Sequence, residues 1–270
     1  NLNQIIHTEK DMKKTFCLSL ILMAGAFSLA AQQPSAVDRV NPIIGTNKMG
    51  HVFPGACAPH GIVALSPDTD TIPHNIDGGY QHKDSSIVGF SHTHFSGTGH
   101  SDLGDILIMP TTGVLKLNPG TATDPDSGYR SRFSHDTEIA TPGYYEVMLS
   151  DYGVKAQLTA TERTGVHRYT YPTDADTSRI ILDMNHAIYN YDGKVLWASV
   201  QVVNDSTLVG YRITNGWARA NYTYFAMKFS NTWDTWPSSN PTATSPTFRD
   251  AKSSAILTLI WRTILPWRSK

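Results

Sequence analysis

The clearest pattern in the chain lies between residues 144 and 229. Val154, Ala156, Leu158 and Ala160 alternate with Lys155, Gln157, Thr159 and Thr161, the period of a strand with one buried and one wet face. Asp151-Tyr152-Gly153 turns this run back on another apolar run at 144–150. Asn204-Asp205-Ser206 closes a second hairpin between 195–203 and 208–213. Stretches 166–171, 180–184 and 222–229 continue the series. Towards the N-terminus, shorter strands are expected at 40–44, before Gly45-Thr46, and at 63–66, before Pro67-Asp68. No 3.6-residue period is sustained after residue 37. Many strands with regular turns predict an all-β fold, a large antiparallel β-sandwich over 37–236.

One stretch breaks the alternation. Between the apolar runs 87–90 and 105–109, the segment from Gly89 to Asp102 places His92, His94, His100 and Asp102 among three glycines. Its polar, glycine-rich character predicts a loop at a strand end, where binding groups usually sit on a rigid scaffold. If strand geometry persists past Phe90, His92 and His94 face the same way. Phe53 lies within the Pro/Gly-rich stretch Gly50 to Gly55, which is followed by Pro59-His60-Gly61. It either projects from its loop or packs as a buried staple.

The two ends read differently. Met12-Lys13-Lys14, the apolar run 16–29 and Leu29-Ala30-Ala31 together have the layout of a secretory signal peptide over 12–31. Residues 1–11 are expected to be upstream sequence without a structural role. Without the leader, Cys57 is the single cysteine, so no internal disulfide is expected and stability must come from core burial. Residues 237–246 are linker-like. The apolar, basic run 256–268 fits no neighbouring pattern and is too short and charged for a membrane span. Residues 237–270 are therefore expected to be a linker and a truncated or frame-shifted tail.

Composition narrows the chemistry. A net charge of -1 with 17% charged residues argues against nucleic acid, which requires a basic surplus. The 12 Tyr and 6 Trp suit sugar faces and ordinary β packing alike. His92, His94, His100, Asp102 and Asp105 are all residue types that ligate zinc. The same groups could instead hold sugar hydroxyls, cap strand ends or bond one another. For acid–base work on a glycosidic bond, Asp68, Asp70, Asp77, Asp102 and Asp105 are candidates, none within a recognisable motif. No Gly-x-Ser-x-Gly elbow supports a serine nucleophile.

Several segments share one resemblance. Asn41-Pro42-Ile43-Ile44-Gly45-Thr46, His51-Val52-Phe53-Pro54-Gly55-Ala56, Pro59-His60-Gly61, Leu65-Ser66-Pro67-Asp68, the stretch Gly89 to Gly99, Gly104 to Pro110, Pro142-Gly143-Tyr144-Tyr145 and Leu158-Thr159-Ala160-Thr161 resemble, in order, the N-terminal domain of glycoside hydrolase family 92. The resemblance implies an exported bacterial exo-α-mannosidase, periplasmic or extracellular, that is calcium-dependent and inverts the anomeric centre. It implies a β-sandwich followed by an (α/α)6 barrel. The barrel would carry the acid, the base and most calcium ligands, so neither catalytic residues nor metal ligands are assigned within this chain. The implied partners are mannose-containing glycans and the missing C-terminal barrel. The implied substrate-binding residues are Phe53, Asp77, His92, His94 and His100. Relatives often carry a tryptophan before the Gly-Tyr pair, whereas Pro73 to Tyr80 has none here, so no aromatic stacking residue carries over there. Two other readings stay open: a non-catalytic carbohydrate-binding or interaction module, and a metal hydrolase using His92, His94 and His100.

Overall fold

The computed structural model describes residues 35–70, 78–97, 100–235, 243–244, 247–248 and 254–261. The expected leader at 12–31, residues 1–11 and Asp77 lie outside them. The chain divides into two units, residues 1–39 and 40–270. In the first, the Ser35 N–H donates to Asp38 Oδ2 at 2.8 Å ahead of a 3-10 turn, Val37–Arg39.

The second unit carries the sheets. In chain order its strands are β1 (Ala56–Cys57), β2 (Ala64–Asp68), β3 (Ser86–Ile87), β4 (Gly89–Ser91), β5 (Leu107–Thr112), β6 (Ser131–Arg132), β7 (Ile139–Thr141), β8 (Tyr144–Leu149), β9 (Val154–Ala160), β10 (Thr164–Thr170), β11 (Ser178–Asp183), β12 (Val195–Asn204), β13 (Thr207–Thr214), β14 (Asn221–Phe229), β15 (Trp233–Thr235), β16 (Ala243–Thr244), β17 (Thr247–Phe248) and β18 (Ser254–Trp261). One sheet runs β1-β2-β4-β5-β11-β17-β15, with β16 also on β11. The other runs β12-β13-β14-β18-β10-β9-β8-β7, and β3 with β6 makes a separate two-stranded ribbon. The all-β, antiparallel architecture expected from the alternation is the one observed.

The core fills the space between the two large sheets. Leu65, Phe90, Ile108 and Ile181 come from the first, and Val147, Ala156, Tyr169 and Met227 from the second; none is more than 1% exposed. Each fully buried aliphatic or aromatic side chain contributes about 1.5–3 kcal/mol. Phe90 and Tyr169 meet across the layers with ring centroids 6.2 Å apart. Strand β9 buries Val154, Ala156 and Leu158 and leaves Lys155, Gln157 and Thr159 towards solvent, as its alternation predicts.

Two expectations change. Residues 40–46 turn instead of extending: the Ile44 N–H donates to Asn41 O and the Thr46 N–H to Ile43 O, while Asn41 Oδ1 accepts from the Ile43 N–H. An asparagine before a proline favours this side-chain-capped turn over a strand. The tail also departs from its expected end at 236. Residues 254–261 form β18, which pairs with β10 from Thr164↔Ile260 to Thr170↔Ser254 and with β14 from Phe225↔Trp261 to Phe229↔Leu257. A run placed between two strands satisfies its backbone on both sides, and a period-2 search does not flag it because apolar residues stand at consecutive positions 255–257 and 259–261.

Candidate functional site

The connections after β2, β4, β11 and β13 carry a buried polar network. Asp68, the last residue of β2, is fully buried. Its Oδ1 accepts from His94 Nε2 and its Oδ2 from His186 Nε2, both at 2.7 Å. His94 Nδ1 lies 2.6 Å from Ala64 O. A carbonyl and a carboxylate only accept, so His94 donates from both ring nitrogens. Burial alone would raise the Asp68 carboxyl, but the charge and hydrogen bonds of His94 and His186 outweigh it and hold it well below the usual carboxylate range. Gly79 makes room: at φ +79, a Cβ there would come within 2.4 Å of Asp68 Oδ1.

Beside this group, Asp105 binds Arg212 and Thr93. Arg212 Nε donates to Asp105 Oδ1 at 2.8 Å and Thr93 Oγ1 to Oδ2 at 2.7 Å. Arg212 Nη1 donates to Met184 O and His186 O. This pairing lets a fully buried guanidinium sit inside a sandwich. Further along the loop, Asp102 accepts from Lys194 Nζ and from the backbone N–H groups of Leu103 and Trp217. Burial opposes ionisation of Asp102, yet these donors, Lys194 foremost, lower its pKa. Leu103 and Ile106 adopt left-handed φ of 74 and 56. The loop is pinned there by Gly104 N–H to Thr93 O, His92 N–H to Asp105 O and Ile188 N–H to Leu103 O.

His92 belongs to a second, deeper chain. Its Nδ1 lies 2.7 Å from Ile106 O and its Nε2 lies 2.9 Å from His167 Nε2, while Tyr169 Oη lies 2.7 Å from His167 Nδ1. Ile106 O only accepts, so His92 donates from Nδ1; with burial keeping both imidazoles neutral, His167 donates to His92 and Tyr169 to His167. Burial lowers the His92 pKa to about 4 and drives His167 well below its ordinary value.

The outer side of the site is apolar and open. Trp217 is 66% exposed, with its ring 5.6 Å from Phe95 and 5.1 Å from His100. Phe53 is half-buried, 5.1 Å from the His94 ring. A cavity of about 200 Å³ lies against His94, Thr93 and Asp105, walled by Ile62, Tyr222 and Thr223.

The chain has relatives among known proteins. Residues 39–259 match the model described as the glycosyl hydrolase family 92 N-terminal domain. The chain belongs to glycoside hydrolase family 92. It is similar to the family 92 α-mannosidase BT3965 of Bacteroides thetaiotaomicron, with 37% identity, a TM-score of 0.78 and 87% of the chain aligned to 34% of that enzyme. The same enzyme in complex with mannoimidazole aligns at a TM-score of 0.76 and 37% identity, over 85% of the chain and 32% of the enzyme. A secreted glycosidase of Arthroderma benhamiae is 32% identical over 154 residues, 53% of the chain and 18% of that protein. The chain therefore spans about a third of the solved α-mannosidases and less of the secreted glycosidase.

Within this family 92 domain, the sequence candidates separate. Phe53 and His94 meet, and His100 stands beside Trp217 at the open side. His92 does not share a face with His94, because β4 ends at Ser91 and the chain turns. With no exposed surface and both nitrogens bonded, His92 has none left for a sugar hydroxyl. Among the described residues, His92, His94 and His100 do not gather as ligands of one metal, against the metal-hydrolase reading. Sequence reasoning missed Arg212, His167, His186, Lys194 and Trp217. Arg212 and His167 could have been found: each occupies the inward parity of its strand, as Leu208 and Tyr169 do, and a charge or imidazole there demands a partner. Calcium takes about six to eight oxygens, whereas Asp68, Asp102 and Asp105 are already bound by imidazole, ammonium and guanidinium donors. They do not fit a calcium cage.

Proposed function

We propose that this chain is the N-terminal domain of a secreted, calcium-dependent exo-α-mannosidase that removes terminal α-mannose from glycans with inversion. The supporting observation is the 37% identity, over 87% of the chain, to an α-mannosidase. Inverting hydrolysis needs one carboxylic acid to protonate the leaving oxygen and one carboxylate to activate water. Asp68 and Asp102 have lowered pKa values, so they stay ionised at neutral pH and do not suit the acid role. Proton transfer and calcium ligation then fall to the helical barrel that the resemblance implies. The sandwich supplies a rigid wall. Asp68 and Ala64 fix the His94 ring, and Phe53, His100, Trp217 and Tyr222 offer aromatic faces and hydrogen-bonding groups to a sugar.

Assay of the whole enzyme on a terminal α-mannoside, with NMR of the first-formed anomer, tests this reading. Calcium-requiring release of β-mannose is expected, together with no turnover by residues 37–261 alone. Retention of configuration, or turnover by that segment alone, would overturn it. The exposure of Trp217 favours one second reading, a non-catalytic sugar-binding module. That reading requires mannoside binding without hydrolysis in the whole protein.

A further inference from the structure

A second cluster of metal-binding side chains lies apart from the histidine loop. The ribbon of β3 and β6 pairs Ser86 with Arg132 and Ile87 with Ser131. Antiparallel pairing therefore brings the residues before Ser86 alongside those after Arg132, and the Phe133 N–H donates to Ser85 O. His82 stands on one arm. On the other, Ser134 caps a 3-10 turn, His135–Thr137, whose close presents Glu138. One ligand atom from each of His82, His135 and Glu138 lies within 4.8 Å of the others. The two imidazole rings are 4.0 Å apart, and His135 Nδ1 is 2.6 Å from Glu138 Oε2.

The carboxylate is held in place. Glu138 Oε1 accepts from Tyr145 Oη at 2.7 Å, and Tyr80 Oη lies 2.8 Å from Oε1 and 3.0 Å from Oε2, while Oε2 faces His135 Nδ1. Hydrogen-bonded outer partners of this kind orient the ligands of metal sites. The Glu138 side chain is 3% exposed while that of His135 is 36% exposed, which gives an ion both a fixed anchor and a way in. From this geometry we infer that His82, His135 and Glu138 form a binding site for a divalent transition metal of the zinc class. Two imidazoles and one carboxylate suit zinc at about 2.0–2.2 Å per ligand, with water completing the coordination. They suit calcium poorly, since it takes oxygen ligands. The site is therefore distinct from the calcium requirement considered above. The ion would tie the His82 arm to the Glu138 turn across the ribbon.

Zinc competition with a chromophoric chelator at neutral pH, on the chelator-stripped full chain, tests the inference. One equivalent of zinc should bind, and excess calcium should not displace it. The exposed His135 can be changed with little risk to folding. His135→Ala should weaken zinc binding by about a hundredfold, and Tyr145→Phe, which removes a hydroxyl from Glu138, by roughly tenfold. Zinc should also raise the thermal midpoint of the parent chain and not that of His135→Ala. Displacement by calcium, or zinc affinity unchanged in both His135→Ala and His82→Ala, would overturn the assignment.

Discussion

Strands β8, β9 and β10 bury every second residue, whereas β2, β4 and β5 bury nearly every one. The first group belongs to a sheet with one wet face. There, polar residues such as Lys155 and Glu146 sit outside and pair at the surface. The second group is covered on both faces, so a polar residue has no outward position. Asp68, Ser91 and the loop residue Asp105 must each find partners inside. The site arises where the doubly covered sheet meets inward-facing polar residues of the other, such as Arg212 on β13, so that its charges are fixed by neighbours and kept from water.

The largest test of this contrast is Asp105→Ala. It leaves the Arg212 guanidinium buried without its carboxylate, at an expected cost of about 3–5 kcal/mol in urea unfolding. A loss below 1 kcal/mol would erase the difference between the sheets.

Acid comes next. The folded pKa of His92 is about 4, against 6.5 for the free group. Between those values the unfolded chain binds the extra proton. Stability from this group is therefore complete above pH 6.5 and falls as pH drops towards 4, by about 1.4 kcal/mol per unit. Denaturant titrations across this range should show the slope, and His92→Phe should lessen it, with His167 supplying the remainder. Asp68 acts in the same direction lower down. Its folded pKa is depressed, so its contribution is present above 3.8 and is lost as pH falls below that value.

His94→Ala in the whole enzyme is the third. It removes a ring that packs on Phe53 and leaves Asp68 with His186 as its one histidine partner. A loss of about 1–3 kcal/mol, or roughly tenfold to a hundredfold in kcat/KM, is expected. The pH profile should keep both limbs, since the proposed acid and base lie elsewhere. Loss of one limb would make His94 a proton-transfer residue.

The smallest expected effect is on the alternating sheet. Lys155→Ala breaks a 2.9 Å pair with Glu146 whose lysine side chain is 40% exposed. About 0.2–1 kcal/mol is expected from thermal melts, and a larger loss would mean that the wet face also carries structure.

Legibility followed the same division. The strands from β8 to β14 were readable within a residue or two: in β8, β9 and β10 one-sided burial writes a period of two into the sequence, and the rest showed as apolar or β-branched runs between turns. The histidine loop was readable as a loop with chemistry. The partners of its residues were not: His167 lies 75 positions from His92 and Arg212 lies 107 from Asp105, and no local pattern encodes such pairings. The difference between His92 and His94 was equally invisible. Two identical side chains two positions apart take opposite roles, a neutral relay in an apolar core and a double donor beside a carboxylate, because β4 ends at Ser91 and the chain turns before it reaches His94.

The position of β18 has a kinetic consequence. Its residues 254–261 separate β10 from β14, so the second sheet remains two half-sheets until residue 261 has joined the fold. Before then β10 and β14 each present an unpaired edge, the kind of surface on which chains template one another. Because β18 pairs with β10, far from it along the chain, closure of the sheet is expected to be slow and non-local. The same position also predicts that truncation before residue 254 leaves β10 and β14 as open edges prone to strand-exchanged aggregation.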